Sequence, residues 1–307
     1  MAADPPLVSV VLTTFNRSAL VLPAIESVLG QTFRDLELIV VDDCSTDDTA
    51  DVVQRVADPR LRIVRHETNL GLAAARNSGI HAARGRFVCF LDDDDEWRRD
   101  KLTAQLAAVE AEEHPEDRVL VYSQARVDDG ISSDIRPTRG PRPGEPLAEY
   151  LMCGEGLIVP SAVMLTRSAA LDALPSIGQR RFEDYSLYLL LEERRFRFVL
   201  VQQPLVVWHV DIMRPRLSRV VSLAEATGWL DSWEPRVTPK ARRAFLAREI
   251  APFLTGPGAR RQMVKTITAA VLSDSISLRE GLNSVLKAVL PPSTIVRLRR
   301  LLPRSRF

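Results

Sequence analysis

Four consecutive aspartates, Asp92, Asp93, Asp94 and Asp95, close an apolar run (FVCFL, residues 87–91) and are followed by Glu96 and Trp97. Mutual repulsion among such groups favours a bound cation, and carboxylate oxygens are hard ligands that suit Mg2+ or Mn2+. Mg2+ takes one or two protein carboxylates and fills its shell with water and substrate phosphates, a division that an Asp-x-Asp pair in a turn can serve. Asp92 and Asp94 are the pair that would share one side. The competing reading is a solvated acidic turn capping the next helix. A second acidic pair, Asp42-Asp43, follows another apolar run (LELIVV, residues 36–41). A third, Glu183-Asp184, opens a helical pattern. Helix dipoles favour acids in a first turn regardless of chemistry.

These clusters lie far apart in the chain, so a scaffold must bring them to one edge. Apolar, β-branched runs at residues 7–12, 36–41, 61–64 and 87–91 begin 29, 25 and 26 residues apart. Helical patterns at 19–29, 47–56 and 72–83 separate them. Strand, helix, strand at this period is the βαβ unit, whose right-handed crossovers predict a mostly parallel sheet with helices on both faces. Ligands of such sheets bind beyond the carboxyl ends of the strands, which is where Thr13-Thr14-Phe15-Asn16-Arg17 and the acidic clusters fall. The first turn has no glycine, which argues against a dinucleotide fingerprint or a P-loop. A nucleotide bound here would rest its base and ribose on the sheet edge and leave its phosphates to a metal.

Further on, the pattern predicts a helix at 101–112, a strand at 119–127 and a loop at 128–146. A strand at 157–166, helices at 167–174 and 183–194, and a strand at 197–210 follow. After residue 219 the chain is helical, basic and punctuated by prolines. Residues 1–229 carry 26 Lys+Arg against 35 Asp+Glu, and residues 230–307 carry 15 against 5. The reading is an α/β catalytic domain over 1–220 and a basic, mainly helical region over 221–307. Cys44, Cys89 and Cys153 form no CxxC pair, the start lacks a basic signal-peptide region, and no apolar run approaches the ~20 residues of a membrane span. A cytoplasmic protein is expected. In residues 292–307, Ile295, Leu298, Leu301 and Leu302 share one helical side among arginines, which suggests peripheral contact with the inner face of the plasma membrane or packing on the body. Nucleic acid is not expected as a partner, since the tail has no recognised motif and no interleaved aromatics.

The runs VSVVLTTFNR, ESVLGQTF, LELIVVDDCSTDDT, NLGLAAARNSGI and GRFVCFLDDDDEW, in this order and spacing, resemble family-2 glycosyltransferases of the GT-A, Rossmann-like fold. The resemblance is dense over residues 7–100 and loose to about 210. It implies an enzyme that moves a sugar from a nucleotide-diphospho-sugar, a UDP-sugar first among donors, to a carbohydrate or lipid-linked acceptor with inversion. By the same resemblance, Thr13 and Phe15 line the base, with Asn16 beside them. Phe15 stands where the family more often has Tyr, so a hydroxyl is lost. Asp43, flanked by Asp42, contacts base or ribose; Arg76 lies near the diphosphate; Asp92 and Asp93 belong to the donor site. Asp94 is the metal ligand, with Asp92 and, in some relatives, a residue near His209. Asp184 matches the catalytic base, supported by Glu183, while Asp95 helps the metal site. Trp97 could wall an acceptor groove or simply pack. No QxxRW signature is present, which predicts transfer of single sugars.

Three rivals remain at this level. A sugar-phosphate nucleotidyltransferase would need a Gly-rich basic stretch that residues 13–17 lack. A receiver domain would use Asp42-Asp43 but give the aspartates at 92–95 no role. An inactive GT-A scaffold has no evident reason to keep both Asp94 and Asp184.

Overall fold

The computed structural model of the protein describes residues 4–113, 115–130, 132–154, 156–174, 181–210, 222–254, 258–290 and 294. Gln179 and Arg180 of the QxxRW comparison, and the amphipathic pattern of 292–307 apart from Thr294, lie outside the described residues. Two compact units are present: residues 1–127, 134–140 and 158–209, and residues 128–133, 141–157 and 210–307.

The first unit begins with alternating strands and helices: β1 (Val8–Thr14), α1 (Val21–Leu29), β2 (Leu36–Asp42), α2 (Thr49–Gln54), β3 (Leu61–Arg65), α3 (Leu72–Ala82) and β4 (Phe87–Asp92). Every residue of β1 and β2 is buried, which is why these segments read as unbroken apolar runs rather than alternating ones. β5 (Glu96–Trp97), α4 (Lys101–Glu110), β6 (Val119–Asp128) and β7 (Ser133–Arg136) follow. After α5 (Leu147–Met152), which belongs to the second unit, come β8 (Val163–Thr166), α6 (Arg167–Asp172), α7 (Glu183–Glu193) and β9 (Arg197–His209). Nine strands form one sheet in the order β3-β2-β1-β4-β8-β6-β9-β5, with β7 on β6. The fold is α/β of the expected kind, with β1–β4 parallel to one another. β8 is antiparallel to β4 and β6, and β5 to β9. The βαβ repeat dictates direction only where it occurs, and it stops after β4. The expected loop at 128–146 contains β7, and the expected strand at 157–166 shortens to β8 behind a 3-10 turn at Pro160–Ala162.

The strand order reverses between β1 and β4, the place where open α/β sheets form a crevice. α3 lies close over β1, because a Cβ at Gly79 would come within 2.2 Å of Val11 Cγ1. One turn earlier on that helix sits Arg76, which this close approach brings to the crevice.

The second unit carries the helices α5, α8 (Leu223–Ser232), α9 (Pro239–Phe245), α10 (Ala259–Leu272) and α11 (Leu278–Val289). Ser222 and Thr238 cap α8 and α9, and Ser277 with Glu280 forms a full capping box on α11. Its core is built largely from small residues, Ala244, Ala247, Ala251 and Ala270, filled in by Met263, Ile267 and Ile276. Among the described residues no helix is long and apolar enough to cross a membrane.

Candidate active site

Register aligns the ends of three strands. Thr13 of β1 pairs with Asp92 of β4, and Thr14 with Asp42 of β2. Both threonines are buried, whereas Phe15, the next residue, is 42% exposed and leaves an aromatic ring at the rim. Asn16 has a left-handed backbone (φ 53°). It ties the first loop to the second: its N–H donates to Ser45 Oγ at 2.9 Å, and its Oδ1 accepts from Thr46 N at 2.8 Å.

Asp42 and Asp43 have separate tasks. Asp42 accepts from Ser45 N at 2.8 Å and pairs with Arg65 at 3.3 Å. Asp43 turns toward the loop before α3. It accepts from Leu70 N at 2.9 Å and Gly71 N at 2.8 Å, and meets His66 Nδ1 at 2.7 Å. His66 Nε2 in turn lies 2.9 Å from Ser78 Oγ. Asp43 thus organises the loop before α3, which sequence alone did not indicate. A carboxylate offers about four lone-pair positions, so these contacts leave room for one more partner.

The centre of the site is Arg76. Its Nη2 donates to Asp92 Oδ1 at 2.8 Å and its Nη1 to Glu183 Oε1 at 3.0 Å. One buried guanidinium therefore joins the end of β4 to the start of α7. Burial works against its charge, but the carboxylates of Asp92 and Glu183 outweigh that and raise its pKa. Beside it, Asp184 is pushed up to about 7 by burial and by the Glu183 charge, with Arg76 pulling the other way. Phe182, just before these acids, is also left-handed (φ 60°), a cost of the order of 1–3 kcal/mol that concentrates at functional sites. Tyr188, one turn further along α7, lines a small cleft together with Arg76, Phe90, Asp184 and Leu187.

The aspartate turn is tightly held. Asp95 N donates to Asp92 O at 3.1 Å. Ser161 Oγ accepts from Asp92 N at 3.1 Å and donates to Asp95 Oδ2 at 2.6 Å. Burial and the charges of Asp92 and Asp94 raise Asp95 well above the carboxylate range, against the opposing hydrogen bond from Ser161. Asp93 is pushed up to about 7, chiefly by burial and by Asp94, although Arg17 lies 3.9 Å away. The turn offers hard carboxylate oxygens, two of them on groups whose charge burial disfavours, a donor chemistry that fits a divalent cation. Among the described residues no group of three or more His, Cys, Asp or Glu side chains converges on one point. An ion here would draw one or two ligands from the protein and the rest from water and phosphate.

Two expectations change in detail. Trp97 is a support, not an acceptor wall: it is buried, its Nε1 donates to Ser161 O at 2.8 Å, and Lys101 Nζ lies 3.8 Å from its ring centre. The His209 ring faces Glu96 at 3.1 Å, and the contact of this residue with Asp95 is through its backbone N–H at 3.3 Å. To join a metal shell it would have to leave Glu96. Sequence reading missed Ser161, Tyr188 and the buried Lys101. A serine in VPSAV and a tyrosine in an apolar helix carry no periodic or motif signature.

The α/β sheet has an acidic crevice at its switch point, an arginine spanning two acidic segments and an exposed aromatic at the rim, on a fold of the GT-A class. Residues 9–174 match the model of glycosyl transferase family 2. The chain is 34% identical over 236 residues to the amylovoran biosynthesis glycosyltransferase AmsB of Erwinia amylovora, covering 75% of this chain and 78% of AmsB. It is 37% identical over 106 residues to the UDP-Glc:alpha-D-GlcNAc-diphosphoundecaprenol beta-1,3-glucosyltransferase WfaP of Escherichia coli, covering 34% of this chain and 42% of WfaP. The mannosyltransferase PcManGT of Pyrobaculum calidifontis, solved with GDP-Man and Mn2+, superposes with a TM-score of 0.59 at 18% identity over 99% of this chain and 89% of its own. The chain belongs to glycosyl transferase family 2 and is a glycosyltransferase.

Proposed function

We propose that the protein is a metal-dependent, inverting transferase that moves one sugar from a nucleotide-diphospho-sugar to an acceptor hydroxyl in cell-surface polysaccharide synthesis. UDP-sugars are the first donors to test, and a carbohydrate or lipid-linked glycan the acceptor. A lipid-linked acceptor would set the reaction at the cytoplasmic face of the plasma membrane. The observation that carries the reading is the Arg76 bridge, which brings Asp92 and the Glu183-Asp184 pair to one place across 91 residues of chain. The kinship with AmsB, named for amylovoran biosynthesis, and with WfaP, whose name gives a diphosphoundecaprenol-linked acceptor, supports the acceptor class.

In this reading the base lies against Phe15 and Thr13, and the ribose against Asp43, with Asn16 and Asp42 fixing the two loops. Asp94, with Asp92, would hold Mn2+ or Mg2+, which supplies neutralising charge for the departing diphosphate. Arg76 holds Asp92 in place. Asp184 accepts the proton of the acceptor hydroxyl as that oxygen attacks the anomeric carbon and the bond to the diphosphate breaks. A base with a pKa near 7 is well matched to this task, because it is free to take a proton yet basic enough to keep it. Glu183 accepts from Arg76 Nη1 at 3.0 Å and orients its neighbour.

The test is release of nucleoside diphosphate from a panel of nucleotide-sugars, with Mn2+ or with chelator. Metal-dependent release, lost in Asp94→Ala and Asp184→Asn, is the expected result. Release of pyrophosphate, or full activity in Asp94→Ala, would overturn the proposal.

A further inference from the structure

Helix α11 presents its side chains in an unusual sense. Gly281 and Ser284 are buried, while Leu278, Leu282 and Val289 are 77%, 59% and 58% exposed. The small side is needed for packing: a Cβ at Gly281 would come within 2.7 Å of Val271 Cγ2 on α10. The large residues, spaced i, i+4 and i+11, form a separate apolar stripe that α11's own packing does not use. α10 behaves similarly. It buries Met263, Ile267 and Ala270 and leaves Val264 and Leu272 53% and 82% exposed, at i and i+8 of one row. Five of the ten exposed large hydrophobics among the described residues fall in these two helices.

The charges around them have one dominant sign. Residues 258–290 contain five Lys+Arg and two Asp+Glu. Of the two acids, Glu280 is spent internally, in the capping box with Ser277 and in an ion pair with Arg248 at 3.6 Å. Arg260, Arg261, Lys265 and Arg279 are exposed. A second copy meeting this surface through the same two helices would bring like charge against like. An anionic bilayer supplies the complementary charge and an apolar layer at the depth a leucine reaches.

We propose that the α10–α11 pair is a membrane-docking surface that seats its exposed leucines and valines in the interface of an anionic phospholipid bilayer. The inference goes beyond sugar transfer and uses no step of it. It agrees with a lipid-linked acceptor, but its test contains neither donor nor acceptor, so either reading can fail alone.

The experiment is co-sedimentation of the full chain with phosphatidylcholine vesicles, with and without phosphatidylglycerol, at low and high salt. Binding to the anionic vesicles that weakens with salt is expected. The triple variant L278Q/L282Q/V289Q should bind about tenfold less or weaker still. Its melting temperature should be unchanged, because the replaced side chains are exposed. The charge swap R260E/R261E should lower binding independently. Three results would overturn the proposal: no binding by the wild type, equal binding to neutral and anionic vesicles, or wild-type binding by the folded triple variant. A dimer that the triple variant dissolves while vesicle binding persists would assign the stripe to a second copy instead.

Discussion

Replacing Arg76 by methionine should destabilise the fold, and the deficit should shrink in acid. The substitution keeps much of the volume and removes both charge-assisted hydrogen bonds, at 2.8 Å to Asp92 and 3.0 Å to Glu183. Breaking one side of a buried ion pair costs about 3–5 kcal/mol, because the partner charge stays behind without compensation. The Asp92 side chain is 30% exposed and can recruit water, so the lower end, about 3 kcal/mol, applies. In a domain of this size that corresponds to about 6–12 °C in melting temperature. The sign of the pH effect follows from the carboxylates. Without the guanidinium, which pulls it down, the raised Asp184 pKa climbs further, so the folded variant binds a proton that its unfolded chain does not. Its stability therefore increases as pH falls from about 7 toward about 4, and the gap to the wild type narrows. Thermal unfolding followed by circular dichroism at several pH values reads both quantities. A shift under about 2 °C at neutral pH, or a deficit that does not change on acidification, would refute the reasoning that the bridge is a working buried pair. Arg76→Lys keeps the charge but not the fork, and should fall between the two.

Asp184→Asn should lower kcat by about a hundredfold or more with a smaller effect on donor KM, measured by nucleoside diphosphate release. In the wild type, kcat/KM should rise with pH through about 7, because burial raises the Asp184 pKa and the base must be unprotonated to act. Lys101→Met should be neutral or stabilising by about 1 kcal/mol in urea titrations, since a hydrophobic residue of similar volume avoids burying the ammonium. Burial lowers the Lys101 pKa to about 8, so the folded wild type gives up its proton before the unfolded chain does. Wild-type stability should gain on the variant as pH rises from about 8 to about 10. Ser161→Ala should cost about 1–3 kcal/mol, because it strands both Asp92 N–H and Asp95 Oδ2, and chemical denaturation would reveal a smaller loss if water replaced the hydroxyl.

Much of the scaffold was legible because β1–β4 obey one repeated rule. Each buried strand is an apolar run, each helix has its own spacing, and the acids at 42–43 and 92–95 fall just past strand ends. The antiparallel half was not legible in the same way. β8 is only four residues long, and no repeat links it to the strand beside it. The site divides along a similar line. Asp92 and the Glu183-Asp184 pair stand out by type and spacing, but their joining through Arg76 depends on how closely α3 approaches β1, which Gly79 permits through a side chain it lacks. Ser161 joins Asp92 and Asp95 from a turn whose sequence is unremarkable for chemistry. Of the two readings open for Trp97 its burial favours packing, because adjacency to the aspartates along the chain does not decide where a side chain points.

The electrostatic state of the crevice links these observations. Arg76 serves Asp92 and Glu183, yet Asp93, Asp95 and Asp184 all have raised pKa values, each with burial as the leading cause. The unfolded chain would hold these groups as ordinary carboxylates, so the fold binds extra protons between about pH 4 and 7 and is less stable at the upper end for that reason. A purely structural edge would gain by replacing such residues with neutral ones. Their retention in one crevice makes sense if the cost is offset by a ligand that brings positive charge to Asp92 and Asp94 and leaves Asp184 free to take a proton. Under the proposed function, ionisation of Asp93 and Asp95 and binding of a cation-bearing donor would be one linked equilibrium, each favouring the other.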